Sequence, residues 1–153
     1  MIEVKEWPVA GWLATRAGTL YIHRGGKKSS DISIDEISHV LGQNHNVVIF
    51  PEGKTTDGTL RKFHPRLIQS AVDAKSYIQP VAIKYVSGDS ILANQAVLFN
   101  NDITFPQSLL NIMSQKSISV EIAFLDPVAV DEQSRSEITS YAEKQVRVQL
   151  NQA

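Results

Sequence analysis

The sequence predicts an α/β fold, a layered sheet flanked by helices, on three observations. Helical and strand patterns alternate along the chain, one strand is apolar on both faces, and no linker or repeat divides the 153 residues. Alternation of this kind builds a layered sheet through right-handed crossovers. A single domain over 1–153 follows. At about 150 residues it buries roughly 70% of the surface its unfolded chain exposes, enough for a core without metal or disulfide support.

Each element has its own signal. Pro8–Ala17 reads as a short helix, with Val9, Trp12 and Leu13 at helical spacing, Pro8 near the first position and Gly18 ending the run. Trp12 and Leu13, with Trp7, suit either a core or a lipid interface; core packing is the expectation. Thr19–His23 is rich in β-branched and aromatic residues and reads as a strand running into Gly25-Gly26. Ser29, Ser30 and Asp31 are candidate N-caps for a helix carrying Ile34, Ile37, Val40 and Leu41 on one face, with Gly42 near its C-cap. Asn46–Phe50 is nearly continuous in apolar residues, as expected of a parallel strand covered on both faces, and Pro51 stops it.

Downstream, Pro65–Lys75 places Leu67, Ile68, Ala71, Val72 and Ala74 on a helical face. Ile78–Tyr85 is the next strand, with an irregularity at Pro80, which has no N–H for a ladder. From Ser87 to Asp102 polar residues dominate and the segment reads mostly as loop, with a short strand over Ala96–Phe99. Pro106–Met113 reads as a helix, Ile118–Phe124 alternates like a strand with one half-solvated face, and Ser134 caps a final helix through Leu150.

Composition removes several functions. Fifteen Lys and Arg against sixteen Asp and Glu leave a net charge of −1. That balance lacks the basic excess of a nucleic-acid-coating domain. With no cysteine, disulfides, thiolate nucleophiles and Cys-ligated metals are excluded. No window approaches the ~18 consecutive apolar residues of a membrane span, and the start is not a secretory leader. Neither G-x-G-x-x-G nor G-x-x-x-x-G-K-[ST] occurs; Gly25-Gly26-Lys27-Lys28-Ser29 has the residue types at the wrong spacing. G-x-S-x-G and H-E-x-x-H are absent too. No cofactor or metal is implied.

In open α/β sheets the functional surface lies beyond the carboxyl ends of strands. Two such junctions stand out. Arg24 follows the first predicted strand and precedes Gly25-Gly26-Lys27-Lys28; its guanidinium could grip a phosphate bidentately, or the loop could be merely basic and solvated. Glu52 follows Phe50-Pro51 directly, and three roles stay open for it: orienting a loop through backbone N–H groups, holding Arg24, or facing a substrate. Gly53 suits a positive-φ turn, and Lys54 and Thr55 add a cation and a hydroxyl nearby. His23, His39, His45 and His64 fall on different elements and read as single polar or capping residues.

Together these junctions resemble the lysophosphatidic acid acyltransferase family, the 1-acylglycerol-3-phosphate acyltransferases. Gly18-Thr19-Leu20-Tyr21-Ile22-His23-Arg24 resembles the family's second motif, Phe50-Pro51-Glu52-Gly53 its third, and Ile78–Ile83 its fourth, with Trp7–Leu13 like the lead-in. The resemblance covers residues 7–83 in the correct order and is loose beyond Tyr85. It implies a glycerolphosphate-acyltransferase-like fold and transfer of a fatty acyl group from acyl-CoA or acyl-carrier protein to a lysophospholipid such as 1-acylglycerol-3-phosphate, giving phosphatidic acid. The site it implies comprises Gly18 and Arg24 from the second motif and Glu52, Gly53, Lys54 and Thr55 from the third. It also implies peripheral attachment to the cytoplasmic face of a membrane.

Two departures follow from the resemblance. The third motif usually continues Thr-Arg-Ser, whereas Lys54 and Thr55 stand here, and a lysine does not reproduce a bidentate guanidinium. The first motif, His-x-x-x-x-Asp, is missing: the residues five beyond the four histidines are Lys28, Asn44, Phe50 and Gln69. The pair would act as general base on the acceptor hydroxyl, a weak nucleophile at neutral pH. The expectation is therefore a chain that is the later part of an acyltransferase catalytic domain, N-terminally truncated; the alternative is a lipid- or phosphate-binding remnant without turnover.

Overall fold

A computed structural model describes residues 10–21, 26–53, 58–87, 90–93, 97, 103–130 and 133–152. The elements in chain order are α1 (Ala10–Arg16), α2 (Gly26–Gly42), α3 (Gln69–Asp73), β1 (Tyr77–Ile78), β2 (Val81–Ser87), β3 (Ser90–Ala93), α4 (Phe105–Met113), β4 (Ser119–Phe124), β5 (Val128–Ala129) and α5 (Arg135–Gln149). The fold is α/β, helices with small sheets. The chain divides into two compact units, one of residues 1–49 and 66–76, the other of 50–65 and 77–153.

The first unit contains α1, α2 and α3. Where α2 meets α3, Ile34, Ile37, Ile68 and Ala71 are buried, and the Ser38 hydroxyl donates to the Ser70 carbonyl at 3.2 Å. Trp12 and Leu13 are 57% and 54% exposed, against the expected core packing, and the Arg16 guanidinium sits 5.4 Å from the Trp12 ring centroid. α2 starts at Gly26, earlier than the candidate caps at Ser29, Ser30 and Asp31, which lie within it. α3 is shorter than the expected 65–75 helix, because its entry is a series of three-residue turns: the N–H groups of Gln69, Ser70 and Ala71 donate to the carbonyls of Arg66, Leu67 and Ile68.

All three helices of this unit end in the same device. The residue two beyond the last helical one is left-handed, and its N–H and the next reach back to the final turn. In α1 it is Gly18 (φ +75°), in α2 Asn44 (φ +61°) and in α3 Lys75 (φ +48°). Gly18 donates to the Thr15 carbonyl and Thr19 to that of Ala14; Asn44 and His45 donate to Leu41 and Val40. α2 thus ends at Gly42, near the expected C-cap, and Asn44 is the left-handed residue that closes it.

The second unit holds the strands. β2 is central, pairing antiparallel with β3 on one edge and with β4 on the other, in the register Val81↔Phe124 to Val86↔Ser119. β1 pairs antiparallel with β5. Pro80 separates β1 from β2, as its missing N–H requires; its carbonyl instead accepts from Leu125 N–H at 3.0 Å. β3 falls within the stretch read as loop, while the strand expected over Ala96–Phe99 lies outside the described residues except for Val97, which is not in a strand. One sheet face turns Ala82 and Ala123 toward a core of Phe63, Ala142 and Val146. The other carries Val81, Ile83, Tyr85, Val120, Ile122 and Phe124, each 36–70% exposed. The half-solvated face foreseen for β4 is therefore its apolar one.

The parallel sheet is not found: every ladder among the described residues is antiparallel. The apolar run Val47–Phe50 is not a strand, nor are the described residues 19–21, while Ile22 and His23 lie outside the described residues. Strand propensity is realised only against a partner. Among the described residues no ladder reaches Val47–Phe50, and Val48 and Phe50 stand 80% and 74% exposed.

α4 and α5 start where their sequences place them. At α4, the Gln107 carboxamide oxygen accepts from the Thr104 N–H at 2.9 Å. At α5, the Ser134 hydroxyl accepts from Glu137 N–H, and the Glu137 carboxylate accepts from Ser134 N–H at 2.9 Å and from its hydroxyl at 2.7 Å, a closed capping box. Those bonds from Ser134 hold the Glu137 carboxyl below the usual carboxylate range. Ile138, Ala142 and Val146, spaced by four, form the buried stripe of α5. Among the described residues no helix is long and apolar enough to cross a membrane.

Candidate functional site

The best-defined site feature is the turn Phe50-Pro51-Glu52-Gly53, in the second unit. Pro51 suits the second position of a turn with its fixed φ, and the Gly53 N–H closes it on the Phe50 carbonyl at 3.3 Å. Gly53 has φ +68°, where a side chain is strained. Its open side faces His64: a Cβ there would lie 3.5 Å from the imidazole Cδ2 and 4.0 Å from Nε2.

A strap of residues 58–64 runs back past this turn. The half-buried Glu52 carboxylate accepts the Arg61 N–H at 2.9 Å, and the Pro51 carbonyl accepts the His64 N–H at 2.9 Å. Of the three roles open for Glu52, this geometry displays the first, orienting a loop through a backbone N–H.

The other expected site residues are placed less completely. Gly18 sits at the end of α1, in the first unit, as the left-handed residue of the helix terminus, with no described residue within 4 Å of where its Cβ would be. Arg24, Lys54 and Thr55 lie outside the described residues. Glu52 and Gly53 are thus the two site residues that the described structure brings together. His39 is exposed and its Nε2 lies 3.0 Å from the Gln43 carboxamide nitrogen, one turn on. Among the described residues no group of three His, Asp or Glu side chains is arranged to hold a metal.

Sequence reasoning missed what stands behind the turn. Phe63 N–H donates to the Glu143 carboxylate at 2.9 Å, and that carboxylate pairs with Arg147 at 3.0 Å, one turn along α5. Burial pushes the Glu143 carboxyl up, but the Phe63 N–H and the cations Arg147 and Lys62 outweigh it and hold the group below its ordinary range. These partners are about 80 residues apart in sequence, so no local motif announces them. The nearest sequence signal for His64 is its position at the end of the polar loop that follows the glycine turn.

The family model for an acyltransferase domain matches residues 2–84, more than half of the chain, and so takes in the turn and its strap. The chain belongs to this acyltransferase family. It is similar to the lyso-ornithine lipid O-acyltransferase of Pseudomonas aeruginosa, with 40% identity over 149 residues, covering 97% of this chain and 57% of that protein. It is also similar to the 1-acyl-sn-glycerol-3-phosphate acyltransferase of Neisseria gonorrhoeae, with 32% identity over 124 residues, 80% of this chain and 48% of that one. The lyso-ornithine lipid O-acyltransferase of Rhizobium meliloti is 25% identical over 162 residues, 97% of this chain and 56% of its own. The chain therefore spans about half the length of the curated relatives it matches. No solved structure matches it significantly.

Proposed function

We propose that this chain forms the acceptor-binding part of an O-acyltransferase that esterifies the hydroxyl of lyso-ornithine lipid. The observation that carries the reading is 40% identity, across 97% of the chain, to a protein of that activity. The sequence at the turn supports it. Lys54 and Thr55 follow Glu52-Gly53 where the resemblance leads one to expect Thr and Arg. An ornithine headgroup presents a carboxylate and an ammonium, and Lys54 offers that carboxylate a single point charge where the resemblance leads one to expect no cation.

In the reaction, the acceptor hydroxyl oxygen attacks the thioester carbonyl of acyl-CoA or acyl-carrier protein. The ester C–O bond forms, the C–S bond breaks, and the hydroxyl proton ends on the departing thiol. A base must hold that proton on the way. None of the four histidines here has an Asp five residues on, so the base comes from the rest of the whole protein. Glu52 and Gly53 bind and orient the acceptor, and the exposed Trp12 and Leu13 of α1 suit contact with a lipid interface on the cytoplasmic side.

The test is to express the whole gene product that carries this chain and assay its membranes with an acyl donor and either lyso-ornithine lipid or lysophosphatidate. Faster consumption of lyso-ornithine lipid is the expected result. Preference for lysophosphatidate would assign the activity of the Neisseria relative instead. Binding of both without turnover would mark a non-catalytic remnant.

A further inference from the structure

We infer that Glu143 and Gln152, at the C-terminal end of the chain and beyond the stretch matched by the family model, are positioning residues for the Pro51-Glu52-Gly53 turn. The strap between them divides its backbone donors by direction. Leu60 N–H donates to the Gln152 carboxamide oxygen at 2.6 Å and Phe63 N–H to Glu143 at 2.9 Å, both toward the C-terminal region. Arg61 N–H donates to Glu52 and His64 N–H to the Pro51 carbonyl, both toward the turn. Each donor facing the turn thus follows directly on one that faces the C-terminal region.

The anchor is two-sided. Gln152 also donates its amide to the Gly58 carbonyl at 2.9 Å, so one side chain engages both a donor and an acceptor of the strap, as a neighbouring strand would. Arg147, held by Glu143, reaches the Leu60 carbonyl at 3.5 Å. Phe63 is buried against Ala142 and Val146, with Leu60 and Leu150 alongside. The strap cannot shift without breaking these bonds and withdrawing Phe63 from that core. A displacement of the strap by an ångström therefore carries Glu52 and Pro51 with it, and misplacement of that size in a binding site costs up to about 100-fold in rate.

The inference rests on the reading of this turn as the acceptor site, and the test separates the two. In the whole protein, Glu143→Ala is compared with Glu143→Gln, whose carboxamide oxygen still accepts from Phe63, and with Glu52→Gln. Hydrogen exchange at the Arg61 and His64 amides is measured without substrate, alongside KM for acceptor and donor. Glu143→Ala should speed exchange at both amides and raise acceptor KM on the order of tenfold with donor KM unchanged, within the range that misplacement allows. Glu143→Gln should restore most of both. Unchanged exchange would overturn the coupling, whatever the kinetics. Faster exchange with acceptor KM altered by Glu52→Gln but not by Glu143→Ala would overturn the positioning role. If neither variant moves acceptor KM, the turn is not the acceptor site and the inference fails with that reading. Should Glu143→Ala not fold, Gln152→Ala removes two strap bonds from the end of the chain and is judged by the same criteria.

Discussion

Gly18 invites a prediction that separates a helix-ending role from a role in binding. A Cβ at this position would meet none of the described residues within 4 Å, so they add no crowding to the effect of Gly18→Ala. What remains is the left-handed backbone at φ +75°, a cost of about 1–2 kcal/mol for a residue with a Cβ. Asn enters this region more readily, and the protein itself uses Asn44 and Asn151 at the corresponding ends of α2 and α5. Gly18→Asn should therefore cost only a fraction as much. Lys75 takes the same place after α3 with a full side chain, so Lys75→Gly should move the other way, stabilising by up to about 1 kcal/mol. Thermal unfolding followed by circular dichroism reads all three, at roughly 2–4 °C per kcal/mol for a chain of this length. Equal losses for Ala and Asn at position 18, or a loss from Lys75→Gly, would refute the reasoning. A Gly18→Asn protein that folds like the parent yet loses acceptor use would show that binding depends on Gly18 as well.

Other expectations follow from the second unit. Gly53→Ala places its Cβ in ordinary contact with His64, so its cost is again backbone strain, about 1–2 kcal/mol, and urea unfolding should show it. Ser134→Ala opens the capping box of α5 and should cost about 1 kcal/mol, read as a lower unfolding midpoint with an unchanged denaturant slope. Because the Glu143 pKa is lowered in the folded chain, its charged form stabilises the fold above the unfolded value, and that contribution is lost as pH falls through the folded value. Unfolding temperature should thus drop below about pH 4.3, and Glu143→Gln should flatten that part of the profile. A variant profile parallel to the parent's would contradict this assignment.

The elements legible in the sequence are those whose signals are local. Ser134 with Glu137, and Thr104 with Gln107, are three residues apart and mark the starts of α5 and α4 directly. The alternation of Val120, Ile122 and Phe124 marks β4. Asn46–Phe50 misleads because its composition reports what the segment could pair with, and no strand among the described residues pairs with it. The end of α2 at Gly42 is legible as a local signal, while the left-handed turn that closes it, at Asn44, is not announced by a glycine. The candidate site divides in the same way. The turn and the bonding of Glu52 to a backbone N–H are within reach of the sequence, since Pro and Gly flank the carboxylate. Its support from Glu143 and Gln152 is not, because hydrogen bonds bridging 80 to 94 residues leave no spacing to read.

The interruption at Pro80 has a consequence for how the strands find one another. Between the paired segments, Gln79 and Pro80 on one side face Leu125, Asp126 and Pro127 on the other, so two residues span the distance of three. The mismatch is closed by Leu125, whose N–H reaches the Pro80 carbonyl and whose own carbonyl takes the Gln79 amide at 3.1 Å. A slip of one residue along a strand turns every side chain to the opposite face. In this ribbon such a slip would break both bonds at the notch and swap Ala123 for Ile122 or Phe124 against Phe63 and Val146. The notch therefore works as an alignment key, admitting a single pairing of the two long segments and rejecting its neighbours during folding.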